Sequence, residues 1–226
     1  MPMRTLLRAL GSALALLHLV AGPAALASEA FVLHPTGTAA PYSASATARP
    51  TASLFFTSGM VPAAQDPDAP AGSPERYGDT YTQALSALER HRENLTARGI
   101  TLDDVLYARA YLVRDPQSGD VFDWAGWNRA FTEFFSGDGS AHAPARTSIG
   151  IDRLGNPDYL IEIELVAAHP PDTGPWLAGT GADPGVPNPR LRPYGRPDSR
   201  IASGVAVAPN APLYCTSGML ADPLEP

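Results

Sequence analysis

The segment LIEIEL at residues 160–165 constrains the fold of this chain more than any other feature. Alternate side chains of a strand share a face, so its isoleucines and final leucine point one way while Glu162 and Glu164 point the other. An apolar strand face needs a covering layer, whereas a carboxylate face needs water or another subunit. This segment therefore predicts a sheet that carries helices on one face and a charged surface on the other.

The rest of the hydrophobic pattern supplies the other elements of such a sheet. Asp79 can cap a helix over residues 80–98, which Gly99 ends. A second helix begins after Asp120 or Asp123 and carries an aromatic stripe, interpreted as core. The stripe consists of Trp124, Trp127, Phe131 and Phe134. The predicted strands are 43–48, 53–58, 105–113, 147–151 and 160–168.

These elements run in the order ββαβαββ, which predicts an α/β domain of the two-layer α+β kind over residues 30–168. Its two helices pack on one face of a mixed sheet. The first two strands are expected to be joined around Arg49-Pro50-Thr51 and the last two around Gly155-Asn156-Pro157. Arg146 and Ser148 share a face if the strand already includes Arg146. We expect that face to be the one with the carboxylates.

The N-terminus predicts export. Arg4 and Arg8 precede an apolar run to about Val20, and Ala25-Leu26-Ala27 forms a small-x-small cleavage site before Ser28. This is the order of a secretory signal peptide over residues 1–27. The alternative is an uncleaved membrane anchor, but the run falls short of the roughly 20 residues that span a bilayer. The mature chain is expected in the periplasm or outside a bacterial cell, without stable membrane insertion.

Composition narrows the range of functions. The formal net charge is −7, and cleavage of the signal peptide removes two Arg and no acid. Such an acidic chain is a poor ligand for a phosphate backbone, so no nucleic-acid partner is expected. The sequence contains no Lys, which excludes a Lys Schiff base and a phosphate-binding loop ending in Lys. The His residues show no spacing typical of metal ligands, so no metal site is expected.

A repeat follows the domain. The tetrapeptide Thr-Ser-Gly-Met occurs at 57–60 and again at 216–219, and a Pro-Tyr pair precedes each copy, at 41–42 and 193–194. We interpret this as a domain duplication whose second copy, 201–226, is truncated. Residues 169–200, rich in Pro and Gly, are predicted to be an extended linker, and the second copy is expected to be disordered or loosely attached. Cys215, the single Cys, is interpreted as a strand residue of that copy.

Several segments between residues 40 and 168 together resemble the Rid family, the reactive intermediate (enamine/imine) deaminases. The strongest match is Pro144-Ala145-Arg146-Thr147-Ser148 followed by Ile161-Glu162-Ile163-Glu164. The other matching segments are Pro41-Tyr42-Ser43, Phe56-Thr57-Ser58-Gly59, Gln83, Leu102-Asp103-Asp104-Val105, Asn128 and Phe134-Phe135.

The resemblance implies a chorismate-mutase-like fold and a homotrimer, or a pseudo-trimer in a duplicated chain, with sites in clefts between subunits. It also implies hydrolytic deamination of small 2-imino or 2-enamino acids to 2-keto acids and ammonia, without cofactor or metal. Arg146 matches the family's key arginine and Glu162 its site glutamate. Tyr42, Ser58, Gly59 and Ser148 match pocket positions.

The chemistry of these residues suits that reaction. The planar guanidinium of Arg146 can hold a substrate carboxylate by two parallel hydrogen bonds. Glu162 can activate the attacking water and return a proton to the leaving amine. Departures from the family pattern occur at Ala40, Met60 and Ser148. The alternative hypothesis is therefore a non-catalytic protein that binds a small carboxylate metabolite in the same cleft. Endoribonuclease activity, claimed for some relatives, suits an acidic exported chain badly.

Overall fold

The computed structural model describes residues 30–35, 41–136, 143–169, 191–195 and 198–211. The predicted signal peptide lies outside these ranges, as does the repeated tetrapeptide at 216–219. Within the described part of the chain, no helix has the length and apolar character needed to cross a membrane.

Eight strands and three α-helices are described. The strands are β1 (Phe31–Pro35), β2 (Ser43–Ala48), β3 (Ser53–Thr57), β4 (Val105–Leu112), β5 (Ala145–Gly150), β6 (Ile161–His169), β7 (Leu191–Tyr194) and β8 (Gly204–Val207). The helices are α1 (Pro74–Tyr77), α2 (Thr80–Thr96) and α3 (Trp124–Ser136). Short 3-10 turns span Leu102–Asp104 and Pro116–Ser118. The predicted elements are all present, and β1, α1, β7 and β8 are additional to them.

The two long helices start where the sequence predicted. The Asp79 carboxylate accepts a hydrogen bond from the Thr82 backbone N–H at 2.9 Å, which satisfies one free donor of the first turn of α2. Asp123 does the same for α3 by accepting from the Gly126 N–H at 2.9 Å. Asp120 instead adopts a left-handed conformation with φ 59° in the turn before the helix.

The strands form one mixed sheet in the order β1-β2-β5-β4-β6-β3-β8-β7. Strand β4 lies parallel to β5 and antiparallel to β6. The β5–β6 connection therefore passes over β4, because the two strands are not neighbours. Both long helices cover one face of this sheet, and the aromatic residues of α3 fill the space between the layers. The fully buried large side chains there include Trp127, Phe131, Phe135, Leu88, Leu95 and Phe55. The two-layer prediction is confirmed, although Trp124 of the predicted stripe is 41% exposed.

The first two predicted strands are joined around residues 49–51 as expected, but they do not pair with each other. Strands β2 and β3 are separated by a short turn, yet β3 pairs with β6 on one side and with β8 on the other. Strand β2 instead pairs antiparallel with β1 and contacts β5 at Ser43 and Ala145. A distant segment has therefore taken the position beside β3 that a local hairpin would fill.

The described residues between 191 and 211 also differ from the predicted extended linker and loosely attached second copy. Strand β7 lies in the predicted linker and pairs antiparallel with β8. Gly204, Ala206 and Val207 of β8 are buried. These residues are part of the sheet rather than loosely attached, because their backbone groups complete the edge of β3.

The β1–β2 hairpin lies over the sheet face opposite the helices. Phe31 of β1 is 5% exposed and belongs to a small second cluster with Leu106 and Ala168. The charged face of the sheet is therefore partly covered by the chain itself at the end where β4 begins.

Candidate functional site

Arg146 and the carboxylates lie on opposite faces of the sheet. In the ladder, Arg146 stands beside Ala108, which in turn faces Leu165, and both of these are buried under the helices. Glu162 stands beside Tyr111, on the half-exposed face. Arg146 lies within β5, and it therefore shares a face with Ser148. The expectation that this face carries the carboxylates is wrong, because alternation fixes faces within one strand but not between strands.

Aromatic rings surround the Arg146 guanidinium. Its central carbon lies 4.5 Å from the ring centroid of Tyr42, 4.6 Å from that of Phe131 and 5.3 Å from that of Trp127. The Nη2 group donates a hydrogen bond of 2.6 Å to the Asn128 side-chain oxygen. Each ring contributes cation–π attraction, so the guanidinium is held in one orientation. We call this arrangement the arginine cage.

The arginine cage leaves donors of Arg146 unused. Its Nη1 atom is buried and has no hydrogen-bond partner among the described residues, and no carboxylate of those residues forms an ion pair with it. Burial lowers the pKa of Arg146 to about 10, partly offset by Tyr42. The group is still protonated at neutral pH. A half-buried cation that has no counter-ion among the described residues favours binding of an anion from outside.

Two predicted pocket residues lie in or beside this cage. Tyr42 forms one of its walls, held by the neighbouring Ser43, which donates from Oγ to the Ala143 carbonyl at 2.9 Å. The Ser148 hydroxyl accepts a hydrogen bond of 2.7 Å from the Trp127 indole N–H. Ser148 therefore positions a wall of the cage.

The other predicted site residues gather around Glu162. A Cβ atom at Gly59 would lie 2.7 Å from the Cδ atom of the Glu162 side chain, so only a glycine admits the carboxylate in this position. The neighbouring Met60 exchanges backbone hydrogen bonds of 2.8 and 3.0 Å with Ile163, which fixes Gly59 against β6. The Ser58 hydroxyl donates a hydrogen bond to the backbone carbonyl of Ala202, which lies just before β8. Its proton is therefore already used in a bond within the protein.

The sheet face around Glu162 also contains a residue that sequence reasoning missed. Arg109 of β4 forms an ion pair of 3.3 Å with Glu164, and its guanidinium stacks on Tyr107 at 5.7 Å. The alternation Tyr-Ala-Arg-Ala-Tyr at 107–111 could have placed Arg109 opposite the helices. No hydrogen bond or ion pair to the Glu162 carboxylate occurs among the described residues. Burial, with the nearby Glu164 charge, raises the pKa of Glu162.

A buried histidine supports the backbone next to Glu162. His91 of α2 is completely buried, and its Nε2–H donates a hydrogen bond of 2.7 Å to the Ile163 carbonyl. Its Nδ1 atom is buried and has no hydrogen-bond partner in the described part of the chain. Burial lowers the pKa of His91 to about 4, against the hydrogen bond to Ile163, which acts in the opposite direction. The ring is therefore neutral in the folded protein near pH 7.

His91 should make folding stability depend on pH. Its folded-state pKa of about 4 lies below the unfolded value of 6.5. Its contribution is therefore complete above about pH 6.5 and is lost as pH falls toward 4, by about 3 kcal/mol at 1.36 kcal/mol per pKa unit. We expect His91→Gln to flatten this slope in urea unfolding at pH 7, 5.5 and 4. Leu88→Ala, a core substitution that keeps the ring, is the control and should retain the slope. Equal slopes in wild type and His91→Gln would contradict the prediction.

The described chain thus carries two separate groups of candidate residues. Arg146, Tyr42 and Ser148 lie on the helix side, whereas Glu162 and Gly59 lie on the opposite face, with Ser58 beside them. Within the described ranges of one chain, the Arg146 guanidinium and the Glu162 carboxylate do not come together. Nor does any group of three or more His, Cys, Asp or Glu side chains in the described ranges form a set that could hold a metal ion.

The chain is similar in sequence and structure to several known proteins. A RutC family protein of Pyrococcus horikoshii is 34% identical over 90 residues, which are 40% of this chain and 63% of that protein. The chain thus spans less than two thirds of that relative. A Rid family protein, YyfB of Yersinia pestis, gives a TM-score of 0.47 at 24% identity over 61% of this chain and 98% of its own. Escherichia coli TdcF with bound serine gives 0.41 at 28% identity over 52% and 81%.

The family model described as Endoribonuclease L-PSP matches residues 33–169, more than half of the chain. This range begins in β1, ends with β6 and contains every candidate site residue. The chain therefore belongs to the Endoribonuclease L-PSP family, the Rid/YjgF family that the sequence resembles.

Proposed function

We propose that this protein hydrolyses small reactive 2-imino and 2-enamino acids to 2-keto acids and ammonia. Members of the family are often deaminases or small-molecule binders. The observation that carries the proposal is the arginine cage, in which three rings and one amide fix Arg146 while no described residue bonds to Nη1. A carboxylate is the ligand that this planar fork fits best.

Glu162 supplies the proton chemistry. Water adds to the carbon of the protonated imine as one water proton passes to the carboxylate, giving a neutral tetrahedral carbinolamine. The protonated glutamate then returns that proton to the amino group. As the C–N bond breaks and ammonia leaves, the carbinolamine hydroxyl gives its proton to the carboxylate and becomes the keto oxygen. A raised pKa suits a group that must accept and return a proton near neutral pH.

The site requires two copies of the domain. Because Arg146 and Glu162 lie on opposite faces, one copy contributes the arginine cage and another contributes Glu162 with Gly59. Members of the family are typically homotrimers that bind small molecules. A trimer or a pseudo-trimer built with the second copy of the repeat would form such clefts. It would also give the half-exposed Arg109–Glu164 face a partner surface.

The predicted signal peptide supports a site of action outside the cytoplasm. We propose a periplasmic or secreted enzyme without cofactor, whose substrates are imino acids met after export. The family description names an endoribonuclease, but the net charge of −7 disfavours RNA as the substrate.

Turnover of imines by the exported protein tests the proposal. An amino-acid oxidase generates imino acids from alanine, leucine or phenylalanine in place, and semicarbazide traps those that survive. The expected result is less trapped imine with protein than with buffer, for at least one of the three. Trapping equal to buffer for all three would contradict the deaminase proposal for these substrates.

One observation favours the alternative, a binding protein for a small carboxylate metabolite. The arginine cage is complete within one chain, whereas Glu162 lies on the other face and the Ser58 and Ser148 hydroxyls already bond to the protein. Binding therefore requires less of the assembly than catalysis does. A keto acid that raises the melting temperature by way of Arg146, together with absent imine turnover, would favour this alternative.

A further inference from the structure

The two hairpins of the sheet are counterparts in the repeat. Met219 follows Met60 by 159 residues (219 − 60 = 159). At that spacing, β7 at 191–194 corresponds to β1 at 31–35, and β8 at 204–207 corresponds to the second part of β2 at 43–48. Both pairs are antiparallel hairpins. The Pro-Tyr pair at 193–194 is therefore not the counterpart of the pair at 41–42, as the sequence had suggested.

Strand β8 takes the register on β3 that β2 would take in a local hairpin. Leu54 pairs with Val207 and Phe56 with Val205. The counterparts of these two valines are Ala48 and Ala46. A β2–β3 hairpin in this register would close through residues 49–53, a loop length that is common in hairpins. The first copy could therefore form this β2–β3 hairpin from its own residues. In the structure, however, β8 occupies the position of β2 beside β3.

Sequence differences between the hairpins explain which one pairs with β3. Gly204 lies so close to β3 that a Cβ atom there would be 2.8 Å from the Phe56 carbonyl oxygen and 3.0 Å from the Phe55 ring. Its counterpart in β2 is Ser45, which carries that Cβ. Only β8 can lie this close to β3 without displacing it.

Two further contacts on β7–β8 have no equivalent in β1–β2. Ser203 accepts a hydrogen bond of 2.9 Å from Arg98, and its counterpart is Ala44. The Tyr194 ring stacks edge-on against Phe55 at 5.7 Å and lies 4.9 Å from the Arg98 guanidinium. In the first copy His34 pairs with Ser45, the counterpart of Gly204, so no phenol ring lies at the position that matches Tyr194.

The hairpin also reaches the candidate site. Ser58 donates from its backbone N–H to the Ser203 carbonyl at 3.2 Å and from its hydroxyl to the Ala202 carbonyl. The next residue, Gly59, lies against Glu162. We propose that the second copy of the repeat donates its hairpin, β7–β8, to β3 of the first copy, in preference to the first copy's own β1–β2. The donated hairpin completes the sheet and fixes Ser58. This proposal does not depend on the catalytic one.

Disulfide trapping in the full chain tests the donation. In a Cys215→Ser background, one variant carries Phe56→Cys together with Val205→Cys on β8 and Ala46→Cys on β2, so that position 56 can bond to either strand. Directly opposite residues have the Cα separation that a disulfide needs. Under mild oxidation, we expect the 56–205 bond within single chains, at least about tenfold in excess of the 56–46 bond. Nonreducing gels and peptide mass spectrometry measure both.

The matched control exchanges the residue that selects between hairpins. Gly204→Ser combined with Ser45→Gly should shift the trapped bond from 56–205 toward 56–46. Either hairpin can complete β3, so these variants keep a sheet, which circular dichroism verifies. A dominant 56–46 bond in the parent, a 56–205 bond only between chains, or neither bond would overturn the donation. An unchanged ratio in the exchanged variant would overturn Gly204 as its cause.

Discussion

Arg146→Ala is expected to lower kcat/KM for imine hydrolysis at least about 100-fold. Two hydrogen bonds to a substrate carboxylate contribute about 1.5–3 kcal/mol each, and 1.36 kcal/mol corresponds to a factor of ten. The Nη1 donor has no partner within the described chain, so the substrate, rather than the protein, loses the interaction. The semicarbazide assay measures the rates, and urea unfolding verifies the fold.

Two companion variants separate anchoring from charge. Arg146→Lys keeps the charge but offers no planar fork, so its rate should fall between those of wild type and Arg146→Ala. Arg129→Ala removes a cation of α3 that stacks on Tyr81 outside the arginine cage, and it should retain the wild-type rate. Turnover at the wild-type rate by Arg146→Ala would contradict the role of Arg146 in anchoring the substrate carboxylate.

Gly59→Ala is the second substitution with a large expected effect. The new methyl group would lie 2.7 Å from Cδ and 3.0 Å from Cγ of Glu162, so the carboxylate must swing away. Because general acid–base catalysis contributes about 10²–10⁴-fold, we expect kcat to fall about 100-fold. The KM should change less, since Arg146, which holds the substrate carboxylate, keeps its contacts in the arginine cage. Steady-state kinetics on the same imines measure both constants.

A double-mutant cycle ties this effect to the carboxylate. Once Glu162→Gln has removed the base, Gly59→Ala should add little further loss. Gly155→Ala, in a turn with nothing within 4 Å of the added Cβ, is the matched control and should behave as wild type. Additive losses from Gly59→Ala and Glu162→Gln would mean that the methyl group acts elsewhere, by disturbing the Met60–Ile163 bridge.

The local features of this fold could be predicted from the sequence. The capping residue Asp79 and the alternation in β6 each act over a few neighbouring residues, and the structure places them as expected. Of the aromatic stripe on α3, Trp127 and Phe131 are buried as expected, whereas Trp124 is 41% exposed. The position of Arg146 within β5 is equally local. Family membership followed from segments whose order and spacing are visible in the sequence alone.

The features that escaped prediction depend on pairing between distant segments. The sequence of β5 alone does not determine which of its faces the helices cover, because that depends on the register of β5 with β4. Arg146 was therefore assigned to the wrong face. Nor does a plausible turn at 49–51 exclude a better competitor for β3 about 150 residues later. The Gly204 contact that selects this competitor becomes visible only when the two strands are paired.

The buried indole of Trp127, which donates a hydrogen bond to Ser148, can serve as a fluorescent probe of the arginine cage. Trp127 is buried and lies 5.3 Å from the Arg146 guanidinium, whereas Trp124 is 41% exposed. Indole emission responds to nearby charge, so an anion that neutralises the guanidinium should change the intensity of the buried fluorophore. Ligand titrations could then be followed without labels, with Trp127→Phe as the spectroscopic blank.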